Sequence, residues 1–225
     1  MEQSLFTPQL AAYAAAQMNV FFPDDHPVKA PDVALLLPGV LGRLKVCFSG
    51  LRGPYFRREG VLRFDHLNAD QYSMFLYLLG NEAFRAGAGS GDIAVKSYLL
   101  NKALHGIEVF YEVELPAVFW FAHAVGTVLG RARYGNGLVV AQGCTVGNKD
   151  GRYPTLGEKV VLCANSSVLG DCQIGSRVCV GAGSQLIEET ITDGTTVVGS
   201  TPSARVLEKT SPLLDLYFTE NLPHV

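Results

Sequence analysis

The sequence predicts an α+β fold, an N-terminal α-helical domain followed by a parallel β-helix of hexapeptide repeats. Three observations carry it. The first is a six-residue register. Every sixth residue from Val128 gives Tyr134, Val140 and Val146, and a restart at Leu156 gives Leu162, Val168, Ile174, Val180 and Leu186. The second is the company those residues keep. The next position is often Gly or small (Gly135, Ala141, Gly147, Gly157, Cys163, Gly175, Gly181), and so is the fifth (Ala132, Cys144, Ser166, Cys172, Ser184). A helix has no six-residue period and a plain strand repeats every two. Three short strands per coil, closing into a triangular prism with apolar residues inward and small ones at the corners, account for both. The third is the first half, where apolar residues fall at helical spacing instead.

Taken in order, Ala-rich Pro8–Val20 predicts a helix ended by the breaker Phe22-Pro23-Asp24-Asp25-His26-Pro27. Pro31 opens a second helix through Val33, Leu36, Leu37, Val40, Leu41 and Leu44, with a kink or early end expected at Pro38. Arg52 to Arg63 reads as loop. Gln71 to Arg85 is the clearest helix of this half, with Asn68 as N-cap and Asp70 suited to the dipole at its start. Ala86–Gly91 reads as a turn, and Asp92–Ala103 as another helix. From Ile107 the period becomes two, through Val109, Tyr111, Val113 and Leu115, which predicts a strand entering the prism. The polar stretch Gly147–Pro154 breaks the register and should leave the coil as an external loop. The period dissolves at Glu188-Glu189-Thr190, and a short coil resumes near Val197. The division expected is 1–106 helical, 107–209 β-helix and 210–225 a tail with no assigned place.

With 225 residues and a formal net charge of −3, the chain has no basic field to attract nucleic acid. Hydrophobic residues at 48% exceed what one soluble surface needs, so apolar area buried between subunits is expected. Met1–Leu10 has Glu2 and no basic cluster ahead of an apolar run, so it is not read as a signal peptide. Val33–Phe48 is interrupted by Pro38, Arg43 and Lys45, and Ala117–Gly130 is too short to span a bilayer. A cytoplasmic protein without membrane contact is the expectation. The five cysteines form no CxxC pair and read as small hydrophobes in the coils, so no metal is expected.

From about Asp65 to Lys209 the chain resembles serine acetyltransferases of the hexapeptide-repeat acyltransferase family. Asp70-Gln71-Tyr72-Ser73 is similar to the family's Asp-Lys-Tyr-Ser. His123-Ala124-Val125-Gly126-Thr127-Val128-Leu129-Gly130 is similar to its His-Ala-Thr-Gly-Ile-Val-Val-Gly. Gln142–Gly147, Gly151–Pro154, Val180–Ser184 and Thr201–Val206 extend the match. The resemblance implies a left-handed β-helix, acetyl-CoA as co-substrate, and a homotrimer or hexamer with sites between neighbouring prisms. It implies His123 as general base, and it places Gly147, Asn148, Ala164, Ala182, Pro202 and Arg205 along acetyl-CoA. Ala122 stands where the family has Asp, Tyr153 where it has a second His, and the Pro116–His123 segment is shorter. The first two positions help hold the amino acid in the family, so the acceptor stays open.

Acetyl transfer to a hydroxyl needs a base, a group to orient it and an oxyanion donor. Histidine suits the first task, since its ordinary pKa lies near neutral. His123 is the only one of the five histidines inside the prism region. Glu112 and Glu114 share a face of the entering strand, and Glu114 is the candidate to orient the imidazole; a solvated strand face is the alternative. Asp65 and Asp70 are candidates for a substrate amine, with helix capping the alternative for Asp70. Arg152 is a candidate clamp for a substrate carboxylate, and Tyr153 a candidate donor to the acceptor. Three readings remain: an O-acetyltransferase acting on a small hydroxylated amino acid such as serine, an acetyltransferase acting on a sugar or nucleotide sugar, and a non-catalytic β-helix that binds partners.

Overall fold

The computed structural model describes residues 1–87 and 91–224. Five helices are present among them: α1 (Thr7–Phe21), α2 (Ala30–Ser49), α3 (Ala69–Ala86), α4 (Gly91–His105) and α5 (Pro212–Tyr217). Helix α3 lies between α2 and α4, and twelve of its residues are buried. Its start is capped as the sequence predicts, Gln71 N–H donating to Asn68 Oδ1 at 3.1 Å. The turn expected at Ala86–Gly91 falls partly on residues 88–90, outside the described residues.

Helix α2 continues past Pro38 rather than ending there. An interior proline costs about 3 kcal/mol. The buried stripe of Val33, Leu37, Val40, Leu44, Cys47 and Phe48 lies on both sides of it. Burial at roughly 1.5–3 kcal/mol per large apolar side chain outweighs the one lost bond, and Pro38 itself faces solvent. The 52–63 stretch is not a loop. Arg57–Arg58 and Val61–Phe64 form a hairpin about Glu59-Gly60, both at positive φ (51° and 82°), and Glu2–Gln3 adds a parallel third strand. Two left-handed residues in a two-residue connection are the geometry of a tight hairpin.

The second half is a prism with three sheets. One holds Arg133–Tyr134, Thr155–Leu156, Gln173–Ile174 and Thr190–Ile191. Another runs from Phe119–Phe121 through Leu138–Val140, Val160–Leu162, Cys179–Val180 and Thr196–Val198 to Arg205–Leu207. The third runs from Glu108–Val109 through Val128–Leu129, Thr145–Gly147 and Ser167–Leu169 to Gln185–Ile187. All pairings are parallel except the last, where Arg205–Leu207 turns back antiparallel on Thr196–Val198. The inward register holds from Val140 to Leu186, each member nearly or fully buried.

Both ends of that register are corrected. Val128 is 37% exposed, and its neighbour Leu129 points inward opposite Val109 and Val146. Leu129 and Tyr134 are therefore one residue closer than a full repeat. The same short step follows Leu186, so the register continues through buried Ile191 and Val197 instead of dissolving. The strand expected over 107–115 is only Glu108–Val109. Val113 N–H then closes a turn on Phe110 at 2.9 Å. Tyr77 of α3 stands in for a ladder there, its hydroxyl donating to Val113 O at 2.7 Å and accepting from Leu115 N–H at 2.9 Å.

At one corner Gly135, Gly157 and Gly175 stack closely. A Cβ on Gly157 would lie 2.6 Å from Ser176 N and 2.7 Å from Gly175 C. The tail runs back along the second sheet. Thr210 Oγ1 donates to Gly194 O at 3.0 Å and Lys159 Nζ to Glu220 O at 2.6 Å. Asn136 Nδ2 donates to Pro223 O, and Thr219 N–H reaches Gly50 O at the end of α2.

His105, at the end of α4, is half-buried. Asn101 Nδ2 is committed to Ser73 O, which turns Asn101 Oδ1 to the ring at 2.9 Å, so His105 Nδ1 carries the hydrogen. Burial lowers its pKa from 6.5 to about 4. Above pH 6.5 folded and unfolded chains both hold it neutral; between 6.5 and 4 only the unfolded chain gains the proton, so stability falls with pH. His105→Gln should flatten the dependence of Tm on pH in that window. A variant with the wild-type slope would assign the acid loss to other groups.

Candidate functional site

Strand pairing fixes how many residues each prism corner takes. From Val140 to Thr145, Leu162 to Ser167 and Val180 to Gln185 the step is five residues. In the first coil the equivalent step, Phe121 to Val128, is seven. The two additional residues are His123 and Ala124. His123 thus stands on a bulge of the prism edge, in the left-handed region at φ 53° with its side chain 81% exposed.

What holds the bulge is Asp70, in the first turn of α3. Its carboxylate accepts from His123 N–H at 3.2 Å to each oxygen and from Trp120 Nε1–H at 3.3 Å. His123 Nδ1 lies 3.9 Å from Asp70 Oδ1, within ion-pair reach but too long for a hydrogen bond. The two face a cavity of about 200 Å³ lined also by Ser73, Leu104, His105 and Val125. The sequence offered Asp70 a substrate amine or a place in the helix cap, and neither reading foresaw its bonds to His123 N–H and Trp120. The signal was present in the Asp-Gln-Tyr-Ser start of α3, but only the fold brings residue 70 to residue 123.

Glu114 is corrected. It accepts from Asn81 Nδ2 at 3.3 Å and lines a different cavity, of about 400 Å³, with Arg43, Arg85 and Tyr134. The turn at Phe110–Val113 removes the strand that was to carry it toward His123. Asp65 also lies apart from His123. It accepts from Leu67 N–H, pairs with Arg63 at 3.5 Å, and lines a cavity with Arg57 and Arg58.

The 147–154 segment does leave the coil, yet it lies against its own prism. Lys149 Nζ meets Glu188 at 2.8 Å, and Arg152 meets the same carboxylate and, at 4.0 Å, Asp171. Arg152 is therefore already paired, while Tyr153 is 40% exposed. Gly147 ends the Thr145–Gly147 strand and Asn148 is exposed. Ala164 and Ala182 occupy the corner position equivalent to Val125, on the same edge as His123 and successive coils above it. Neighbouring coils are about 4.8 Å apart, so this edge is a track roughly 15 Å long from His123 to Ala182. Pro202 and Arg205 are exposed at the far end of the prism. No group of three or more metal-ligating side chains occurs among the described residues.

The family model for the bacterial transferase hexapeptide (six repeats) matches residues 153–187. Among solved structures, serine acetyltransferase from Brucella abortus superposes with a TM-score of 0.68 at 19% identity, covering 91% of this chain and 84% of that one. The Neisseria gonorrhoeae serine acetyltransferase gives 0.67 at 22%, covering 96% and 84%. The matched residues carry the hexapeptide repeat, and the chain shares the fold of these structures. Its prism is a left-handed parallel β-helix. Similar curated proteins include serine acetyltransferases from Synechococcus elongatus (35% identical over 103 residues, 44% of this chain and 42% of the relative) and Bacillus subtilis (32% over 99 residues, 42% and 45%). The chain thus spans less than half the length of these two relatives.

Proposed function

We propose that this chain is an acetyl-CoA-dependent O-acetyltransferase acting on a small hydroxylated amino acid such as serine. The observation that carries the reading is the placement of His123, on an edge bulge, with Ala164 and Ala182 along the same edge. The relatives are serine acetyltransferases, and a similar structure from Brucella abortus is a complex with coenzyme A. His123 takes the proton of the acceptor hydroxyl as its oxygen attacks the thioester carbonyl. The tetrahedral adduct then expels the thiolate, which recovers that proton from the imidazolium. Asp70 positions the bulge, and corner amides near Ala164 and Ala182 line the pantetheine.

With His123 and Val125 standing open, a second prism completes the site. The working unit is a homotrimer, or a hexamer joined through helical parts, in the cytoplasm. No helix among the described residues is long and apolar enough to cross a membrane. The division 1–106, 107–209 and 210–225 is kept as part of the same reading.

One observation favours a second acceptor class. Arg152, the candidate clamp for an α-carboxylate, is tied to Glu188 instead. An acceptor without a carboxylate, an amino or hydroxyl group of a sugar or nucleotide sugar, needs no such clamp. Thiol release from acetyl-CoA, measured against hydroxy amino acids and amino sugars, separates the two; release with neither points to the non-catalytic reading. Asp70→Asn should lower turnover about tenfold or more through the loosened bulge, with the KM for acetyl-CoA unchanged. Glu114→Gln should stay within about twofold of wild type. The reverse order of effects would return the orienting role to Glu114.

A further inference from the structure

Five cysteines are present, none in a disulfide; two of them sit where the repeat requires a small inward residue, and a third is buried in the helical half. Cys144 and Cys172 fill inward positions, and Cys47 is buried between α2 and the first coil, its thiol donating to Phe119 O. Cys163 and Cys179 do something else. Cys179 lies on the Cys179–Val180 strand of the second sheet and Cys163 directly follows the neighbouring Val160–Leu162 strand, where Val161 pairs with Cys179, Leu162 with Val180, and Cys163 N–H donates to Val180 O. Alternation along a strand therefore turns both side chains outward, on one face and diagonally adjacent. Their sulfurs are 3.7 Å apart.

We propose that Cys163 and Cys179 are a dithiol modification site, oxidised by hydroperoxides to an intramolecular disulfide. Diagonal positions on adjacent strands lie about 7–8 Å apart, so closing the sulfurs from 3.7 Å to a bond of about 2.05 Å also needs the backbone to shift at Cys163, just past the end of its strand. A thiol–thiol hydrogen bond also shares one proton within the pair. It holds the Cys179 thiol below its ordinary value, helped by the Ser211 hydroxyl and opposed by burial. The same bond, with burial added, pushes Cys163 up. The pair thus gives up its first proton readily and its second with difficulty.

The chemistry balances with a hydroperoxide as the two-electron oxidant. The pair's thiolate attacks one peroxide oxygen, the O–O bond breaks, and the departing oxygen leaves as water or an alcohol after taking a proton. The second sulfur attacks the resulting sulfenic acid, the S–S bond forms, the S–O bond breaks, and water leaves. Both sulfurs are oxidised and the peroxide is reduced. Cys163 is only half-buried and opens the pair to solvent, while Tyr217 and Ser211 of the tail cover Cys179.

Hydrogen peroxide added to the purified full chain should lower the intact mass by about 2 Da. Titratable thiols under denaturing conditions should fall from five to three. Peptide mapping should join the segments carrying residues 163 and 179. Cys163→Ser and Cys179→Ser, near-isosteric changes, should each abolish the loss of 2 Da. Added oxygen without a new bond in the wild type, or a disulfide that survives in both serine variants, would overturn the assignment. The mapping is done on the wild type, so it stands whether or not a variant folds.

Discussion

His123→Ala is expected to lower turnover by roughly 10²–10⁴-fold, the range for one positioned acid–base group. Affinity for acetyl-CoA should change by no more than about twofold, because the donor contacts are assigned to corner amides at Ala164 and Ala182, coils away from residue 123. His123→Asn should match the alanine variant, since an amide keeps the shape without a nitrogen that can accept and return a proton. Asp70 binds the backbone N–H of residue 123, which both substitutions retain, so the bulge should persist. Rates at saturating acetyl-CoA, with a separate measurement of its binding, decide the matter. Wild-type turnover in the alanine variant would place the base elsewhere and remove the basis of the proposed mechanism.

Gly157→Ala is expected to be among the most damaging of the small substitutions in the prism. The added methyl would meet main-chain atoms of the next coil at 2.6–2.8 Å, and backbone cannot swing aside as a side chain can. Overpacking at that distance costs about 3 kcal/mol, or a drop in Tm of roughly 6–12 °C for a chain of this size. Gly42→Ala is the control. Gly42 lies inside α2 with nothing within 4 Å of the added carbon, so the change should be neutral or stabilising by up to about 1 kcal/mol. Equal melting temperatures for the two variants would mean that the coil spacing relaxes freely.

The parts of the fold legible in the sequence are those set by a local, repeated requirement. A prism coil imposes the same inward position on every turn, so Val140 to Leu186 could be read by counting. Counting fails where a corner changes length. The short steps after Leu129 and Leu186 shift the register by one residue, and nothing local marks them. Pro38 and the 107–115 segment show the other limit, since burial on α2 and the Tyr77 hydroxyl overrule what the residues prefer alone. The 57–64 hairpin was readable in hindsight from Glu59-Gly60. At the site, His123 is singled out by the motif around it, whereas its contact with Asp70 could not be read because the two are 53 residues apart in sequence.

The returning tail changes how the molecule comes apart. A stack of coils behaves as a one-dimensional array that peels from its free end. Here the far coil has no such freedom. From Thr210 the chain doubles back past Gly194, Lys159 and Asn136, and Thr219 bonds to Gly50 at the end of α2. Residues more than 160 positions apart thereby close a ring that runs the length of the prism, and opening the last coil tugs on the helical half. Amide protons in the 190–198 coil should consequently exchange with solvent on the timescale of global unfolding, not of end fraying.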